Sequence, residues 1–160
     1  MPVLFNTLVE PLPNVALNKQ AVQASVGWNG VPSRAVDGCN SGMWNDGCCS
    51  HTLGQQNPWW RVDLLAVYKV TAVTIINRQD HCSSCLYGAQ ILVGNSLVQN
   101  GNQNPMCGII PSFPGTLTYT FQCNEMEGRY INVLLPGSLQ YLMLCEVQVF
   151  ASLCQCCAKK

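Results

Sequence analysis

Apolar residues in this chain recur in short runs at a spacing of two, and the runs are parted by Gly, Pro, Asn and Ser. The clearest runs are 59–64, 69–76, 89–93, 118–121, 129–134 and 144–150. In 69–76 the alternation places Val70, Ala72, Thr74 and Ile76 on one face and Thr71, Val73 and Ile75 on the other. A period of two is that of an extended strand, whose successive side chains point to opposite sides of a sheet. No long stretch carries the i, i+3, i+4, i+7 spacing of an amphipathic helix. Short strands with turn-rich connections predict an all-β fold, an antiparallel sandwich or barrel.

Two segments break the pattern. Residues 29–58 hold Asn29-Gly30, Asp37-Gly38, Asn45-Asp46-Gly47 and Asn57-Pro58, which is turn chemistry. Loops of that length in a domain are usually functional or disordered. Cys39, Cys48 and Cys49 lie inside this one, so a stapled, ordered loop is expected. Residues 94–105 form a second polar excursion. The end of the chain, with Cys154, Cys156 and Cys157, follows the last apolar run and reads as an appendage.

Composition narrows the function classes. The 160 residues suit a single domain. Eight Lys and Arg balance eight Asp and Glu, so the positive field of a nucleic-acid clamp is missing. No apolar run approaches the roughly 20 residues of a membrane-spanning helix, and no membrane insertion is expected. Eleven cysteines are too many for an ordinary cytosolic enzyme and point to an oxidising compartment. The count is odd, which leaves one thiol free or paired with another chain. The start, Met1 to Asn6, has neither the positive n-region nor the apolar core of a signal peptide, so the route of export is not visible.

Four constellations could carry chemistry. His51 is followed by Arg78 and then Asp80. Arg offers parallel donors in a rigid fork, Asp can hold that fork from behind, and neutral His offers one donor and one acceptor, which together suit an array of sugar hydroxyls. On spacing alone the same residues also fit a surface Arg–Asp pair beside an unrelated histidine. Asp37, in a Gly-rich loop full of carbonyls, and Glu146 could contribute to a site for hard Ca²⁺, or could be solvated acids. Of the tryptophans, Trp59 and Trp60 suit packing, and Trp44, in the loop, is the one offered to a ligand. Cys82 and Cys85 form a C-x₂-C that reads as a local disulfide, with redox use or half a zinc site as alternatives. With two histidines and no nucleophile elbow, zinc-protease motif or phosphate loop, no enzyme is indicated.

The blocks NVALNKQA, AVDG, CSHT, NPWWRVDLL, YKVTAVTIINRQD, NPMCG, GRYINVLLPG and LCEVQVF, spread over 14–150, together resemble the F-type lectins, the fucose-binding fucolectins. The family motif is His, 26 residues, Arg, one residue, Asp, four residues, then Arg or Lys; His51, Arg78 and Asp80 match it in register. The resemblance implies a β-sandwich jelly roll of the galactose-binding-domain type over 14–150, with 1–13 as an N-terminal extension and 151–160 as a Cys-rich tail. It assigns His51 and Arg78 to sugar hydroxyls, Asp80 to orienting Arg78, and Trp44 to the niche for the sugar's methyl group. The last motif position is Cys85 rather than a base. Loss of one charge-assisted hydrogen bond, roughly 1.5–3 kcal/mol, would weaken binding about tenfold to a hundredfold. A Cys82–Cys85 bridge would replace the apolar surface of the family's vicinal disulfide, and His81 could supply a donor.

The resemblance further implies a structural Ca²⁺ held by carbonyls of Arg34, Cys39 and Cys145 and by carboxylates of Asp37 and Glu146, with Cys48 at the remaining ligand position. It implies bridges Cys49–Cys145 and Cys107–Cys123, and leaves Cys39 and Cys48 near enough in sequence to pair. The expected protein is a secreted, calcium-stabilised lectin for terminal L-fucose, an innate-defence agglutinin whose partners are fucosylated glycans. Weak single-site sugar contacts require several sites to give avidity, so a homo-oligomer is expected, a trimer by family habit. The other reading, prompted by Cys85, is a degenerate adhesion module that keeps the lectin fold with weak or no fucose binding.

Overall fold

The strand-forming runs fuse into longer elements than their spacing alone suggests. In the computed structural model, which describes residues 11–112 and 116–155, the strands are β1 (Gln20–Gln23), β2 (Ser50–His51), β3 (Trp59–Ile76), β4 (Gln90–Gly94), β5 (Met106–Ile109), β6 (Thr118–Leu134), β7 (Met143–Leu144) and β8 (Glu146–Leu153). The runs 59–64 and 69–76 are one strand, as are 118–121 and 129–134. What joins them is irregular backbone. The β3–β6 register shifts between Asp63 and Tyr68, where Leu65 has φ 68°, and Asn124 and Glu125 take φ 52° and 62° on the facing strand. Bulges of this kind let a strand bend from one layer of a sandwich into the other.

The pairing follows that bend. The first half of β3 lies between β1 and the second half of β6, and β6 continues to β4 and β5. The second half of β3 lies between β8 and the first half of β6. Buried side chains of the two halves form one core: Trp60, Val62, Leu64, Ile91, Ile131 and Val133 on one side, Val70, Val73, Ile75, Tyr119, Val147 and Val149 on the other. The fold is therefore an antiparallel all-β sandwich, and the described residues contain no α-helix.

Two expectations shift. A bulge between Val70 and Ala72 resets the alternation in β3, so Val70 joins Val73 and Ile75 in the core instead of sharing a face with Ala72 and Thr74. The tail does not begin at 151: β8 runs to Leu153, which pairs with Tyr68, and Ala151 is buried in the core. Cys154, disulfide-bonded and buried, closes this segment, whereas Cys156 and Cys157 and residues 1–10 lie outside the described residues. The bridges Cys39–Cys48, Cys49–Cys145, Cys82–Cys85 and Cys107–Cys123 are formed.

Candidate functional site

At one end of the sandwich the two-residue strands β2 and β7 pair, with His51 opposite Met143. Arg78 lies two residues beyond the end of β3, where the Cys145 amide donates to the Ile76 carbonyl and ties the β7–β8 junction to the same place. Three segments distant in sequence thus meet, and they enclose a cavity of about 410 Å³. Its lining comprises Trp28, Trp44, His51, Arg78, His81, Cys85, Tyr141 and Met143, with no carboxylate among them.

His51 is only 7% exposed. Its Nδ1 lies 2.6 Å from the Thr52 carbonyl, to which it can only donate. That fixes the tautomer and leaves Nε2 as an acceptor. Burial, first, and the nearby positive charges of Arg78 and His81 lower its pKa, against the opposing pull of the Thr52 carbonyl, so the imidazole is neutral at pH 7.

Arg78 is held from three sides. Its Nε donates to Asp80 Oδ1 at 2.8 Å and its Nη2 to Oδ2 at 3.4 Å. Nη1 donates to the Met143 sulfur at 3.5 Å, and the guanidinium carbon stands 4.9 Å from the Trp44 ring centre. These contacts leave N–H groups on both terminal nitrogens free for a ligand. The hydrogen bond from Arg78 holds the Asp80 carboxyl below its usual pKa, so the carboxylate stays charged behind the fork.

Trp44 begins a 3₁₀ turn, Trp44–Asp46, within the loop closed by Cys39–Cys48. Its ring meets His51 edge-on at 5.5 Å, and Arg34 approaches the same ring at 5.6 Å. Gly30 permits this closure, because a Cβ there would come within 2.6 Å of the His51 amide nitrogen and 3.0 Å of the Trp44 ring. Cys85 lines the cavity, bonded to Cys82 across the 3₁₀ turn Ser83–Leu86. Cys82 itself, expected at the ligand, is not part of the lining; it takes φ 48° and anchors the turn.

The sequence reading overlooked three lining residues. Trp28, Tyr141 and Met143 reach the cavity through the β2–β7 pairing and the 27–30 loop, which no spacing signals. Trp44 is thus not the only tryptophan available to a ligand. Cys82 and Cys85 are bonded to each other, as the local-disulfide reading expects, so neither offers a thiolate to a metal.

A second cluster lies at the start of β8. Glu146, the first residue of β8, is fully buried. Its Oε2 accepts the Gly38 amide at 2.7 Å, while Oε1 has no hydrogen-bond partner. Burial, assisted by the negative Asp37 nearby, pushes its pKa up to about 7. An orphaned buried carboxylate oxygen beside a second carboxylate fits a bound cation. A site built on such carboxylate oxygens suits a hard cation such as Ca²⁺. The Cys48 thiol is excluded as a ligand because it is bonded to Cys39, which leaves only its carbonyl.

An antiparallel sandwich with an aromatic, carboxylate-free cleft at one end defines a class of binding domain. The NedA-like, galactose-binding domain family matches residues 34–133. Fucolectin-5 of Anguilla japonica is 45% identical over 146 residues, covering 88% of this chain and 77% of that protein. The serum fucolectin of Morone saxatilis superimposes with a TM-score of 0.84 at 42% identity over 88% of this chain, which spans about half (47%) of that longer protein. A fucose-binding module of Streptococcus pneumoniae superimposes with a TM-score of 0.77 at 32% identity, covering 88% of this chain and 96% of the module. The chain belongs to the fucolectin family of F-type lectins. Its class is one that binds rather than catalyses.

Proposed function

We propose that this chain is a lectin that binds terminal L-fucose on glycans. The observation that carries the reading is the meeting of His51 and Arg78, from distant segments, in one cavity with an aromatic wall. Neutral His51 accepts a sugar hydroxyl at Nε2, the free N–H groups of Arg78 donate to adjacent oxygens, and Asp80 keeps the guanidinium in place without entering the cavity. The exposed edge of Trp44 takes the methyl group. His81, in the lining, supplies the third polar contact that position 85 lacks. Asp37 and Glu146, with carbonyls of Arg34, Cys39, Cys48 and Cys145, would hold a structural Ca²⁺ that neutralises the buried carboxylate and braces the loop carrying Trp44. The cysteine-rich composition and the serum origin of the striped-bass relative support a secreted protein, and agglutination in innate defence follows if several sites act together, as in a homotrimer. Calorimetric titration with L-fucose, galactose and mannose tests the specificity, with size-exclusion chromatography of the same sample for assembly. Saturable fucose binding by an oligomer is expected; no response to fucose overturns the sugar assignment, and a monomer overturns the avidity argument.

The second reading, an adhesion module with a weakened sugar site, is favoured by one observation: Cys85 faces the cavity within a disulfide, so no cation projects from that position. The double variant Cys82→Ser, Cys85→Arg separates the two. Under the lectin reading the parent already binds fucose, and the variant tightens it by about tenfold to a hundredfold, one charge-assisted hydrogen bond. Fucose binding that appears only in the variant would establish the adhesion reading.

A further inference from the structure

Residues 95–105, between β4 and β5, have no part in the cavity at the end of the sandwich, yet they are closely built. Gln99 and Asn100 take left-handed backbone, with φ 49° and 61°. The Asn104 side chain closes the segment, donating to the Ser96 carbonyl at 3.0 Å and accepting the Ser96 amide at 3.2 Å. The fully buried Asn132 of β6 donates to the Asn100 carbonyl at 2.8 Å and to Asn102 Oδ1 at 3.0 Å. The segment is thereby fastened to the outer face of the sheet, where it walls a second cavity of about 160 Å³. Gln20, Val22, Arg61, Asp63, Leu97 and Tyr130 line this cavity, and none of them lines the first.

Strand alternation explains the grouping. Trp60, Val62 and Leu64 point into the core, so Trp59, Arg61 and Asp63 face outward. Val22 of β1 stands opposite Arg61, while Gln20 of β1 and Tyr130 of β6 flank Asp63. Asp63 is already engaged: its Oδ1 and Oδ2 accept Nε and Nη2 of Arg129 at 2.8 Å and 2.9 Å. Arg61 forms no ion pair among the described residues. Its guanidinium carbon stands 5.1 Å from the Trp59 ring centre and 5.9 Å from that of Tyr130, and Nη1 donates to the Asn100 carbonyl at 2.7 Å. These contacts fix the fork and leave Nε and Nη2 without a hydrogen bond among the described residues, as are the Gln20 amide and the Tyr130 hydroxyl. A fixed guanidinium with spare parallel donors suits a two-oxygen anion, above all a carboxylate. Gln20 and the Tyr130 hydroxyl suit sugar hydroxyls, and Val22, Leu97 and the Tyr130 ring offer apolar surface to C–H groups. The cavity is smaller than the roughly 300–1,000 Å³ that larger ligands need, so it takes one sugar ring at most.

We propose that Arg61 centres a second binding site, on the outer face of the sheet, that takes a single acidic sugar through its carboxylate. Nε and Nη2 of Arg61 hold the carboxylate, and the Gln20 amide and the Tyr130 hydroxyl hold ring hydroxyls. Asp63 does not repel the ligand, because Arg129 occupies both its oxygens. The site shares no residue with the fucose reading and stands or falls apart from it.

The test is calorimetric titration of the whole chain with methyl glucuronide and N-acetylneuraminic acid, against methyl glucoside, acetate and sulfate. At least one acidic sugar is expected to bind saturably, and the neutral glucoside at least tenfold more weakly. Arg61→Gln should weaken the acidic sugar by about tenfold to a hundredfold, one charge-assisted hydrogen bond. Gln20→Glu, at an exposed strand position that leaves the Asn100 anchor in place, should weaken it at least tenfold by setting a carboxylate against a carboxylate. Thermal melts of both variants check that the fold is kept. Saturating L-fucose should leave the acidic sugar's affinity unchanged. Binding of neither acidic sugar, equal binding of the glucoside, or parent-like binding by a folded Gln20→Glu overturns the proposal. Acetate or sulfate binding as tightly as the sugar would reduce the site to an anion spot, and competition by L-fucose would place the acid in the first cavity; either result also overturns it.

Discussion

Replacing Arg78 with alanine is expected to lower L-fucose affinity by more than a hundredfold while leaving the protein folded. Arg78 is the one fixed cation in the cavity lining, and its neighbours hold it without using all its donors. Each charge-assisted hydrogen bond to a ligand contributes about 1.5–3 kcal/mol, and two of them account for a loss beyond a hundredfold. Arg78→Lys should fall between: the ammonium keeps the charge, but it cannot make the two-point contact with Asp80 or lie against Trp44 as a plane. Asp80→Asn should weaken binding less than Arg78→Ala, since the guanidinium remains and loses only its support. The order wild type, Asp80→Asn, Arg78→Lys, Arg78→Ala can be read by titration, with thermal melts as the control for folding. Binding by Arg78→Ala within threefold of the parent would mean that Arg78 does not touch the sugar.

The parts legible in the sequence and the parts hidden from it have different physical origins. Strand residues carry a period of two because one side meets the core, so the runs around Trp60, Val73, Ile131 and Val149 could be read directly. Bulges erase that signal locally, since an extra residue resets the phase without changing composition, as between Val70 and Ala72. The end of β8 was readable but passed over. Val147, Val149 and Ala151 continue one alternation, and the cysteines after Leu153 drew the boundary too early. In the cavity, the spacing of His51, Arg78 and Asp80 carries information only through family resemblance, because the strands that bring them together lie far apart in the chain. Trp28 and Tyr141 had no such guide. The one local cue was the flanking of Trp28 by Gly27 and by Asn29-Gly30, residues that tolerate left-handed backbone.

The proposed calcium site at Asp37 and Glu146 leads to the second expected result, a calcium-dependent stability that itself depends on pH. In the metal-free protein Glu146 titrates at about 7, above its value of 4.5 in an unfolded chain. Between those values the native state holds a proton that the unfolded state has released. The stability contributed by Glu146 is therefore complete below about pH 4.5 and is lost as pH rises through about 7. Calcium has the opposite preference, since it binds the ionised carboxylate and competes with that proton. At pH 8 the ion meets a site already ionised, and saturation at about a hundred times its dissociation constant adds about 2.7 kcal/mol, a rise of about 5–10 °C in the melting temperature for a domain of this size. At pH 5.5 proton competition weakens the apparent affinity about thirtyfold and most of that rise disappears. Glu146→Gln removes the ionisable group, so it should abolish the calcium response at both pH values and flatten the metal-free dependence above pH 5. Melting curves with calcium and with a chelator, at pH 5.5 and pH 8, distinguish these outcomes. A calcium shift of equal size at the two pH values, or one that survives in Glu146→Gln, would place the ion elsewhere. Because the loop from Asp37 to Cys49 also carries Trp44, loss of the ion at acid pH should weaken fucose binding in step with the melting temperature, and that parallel would tie the buried carboxylate to the sugar site.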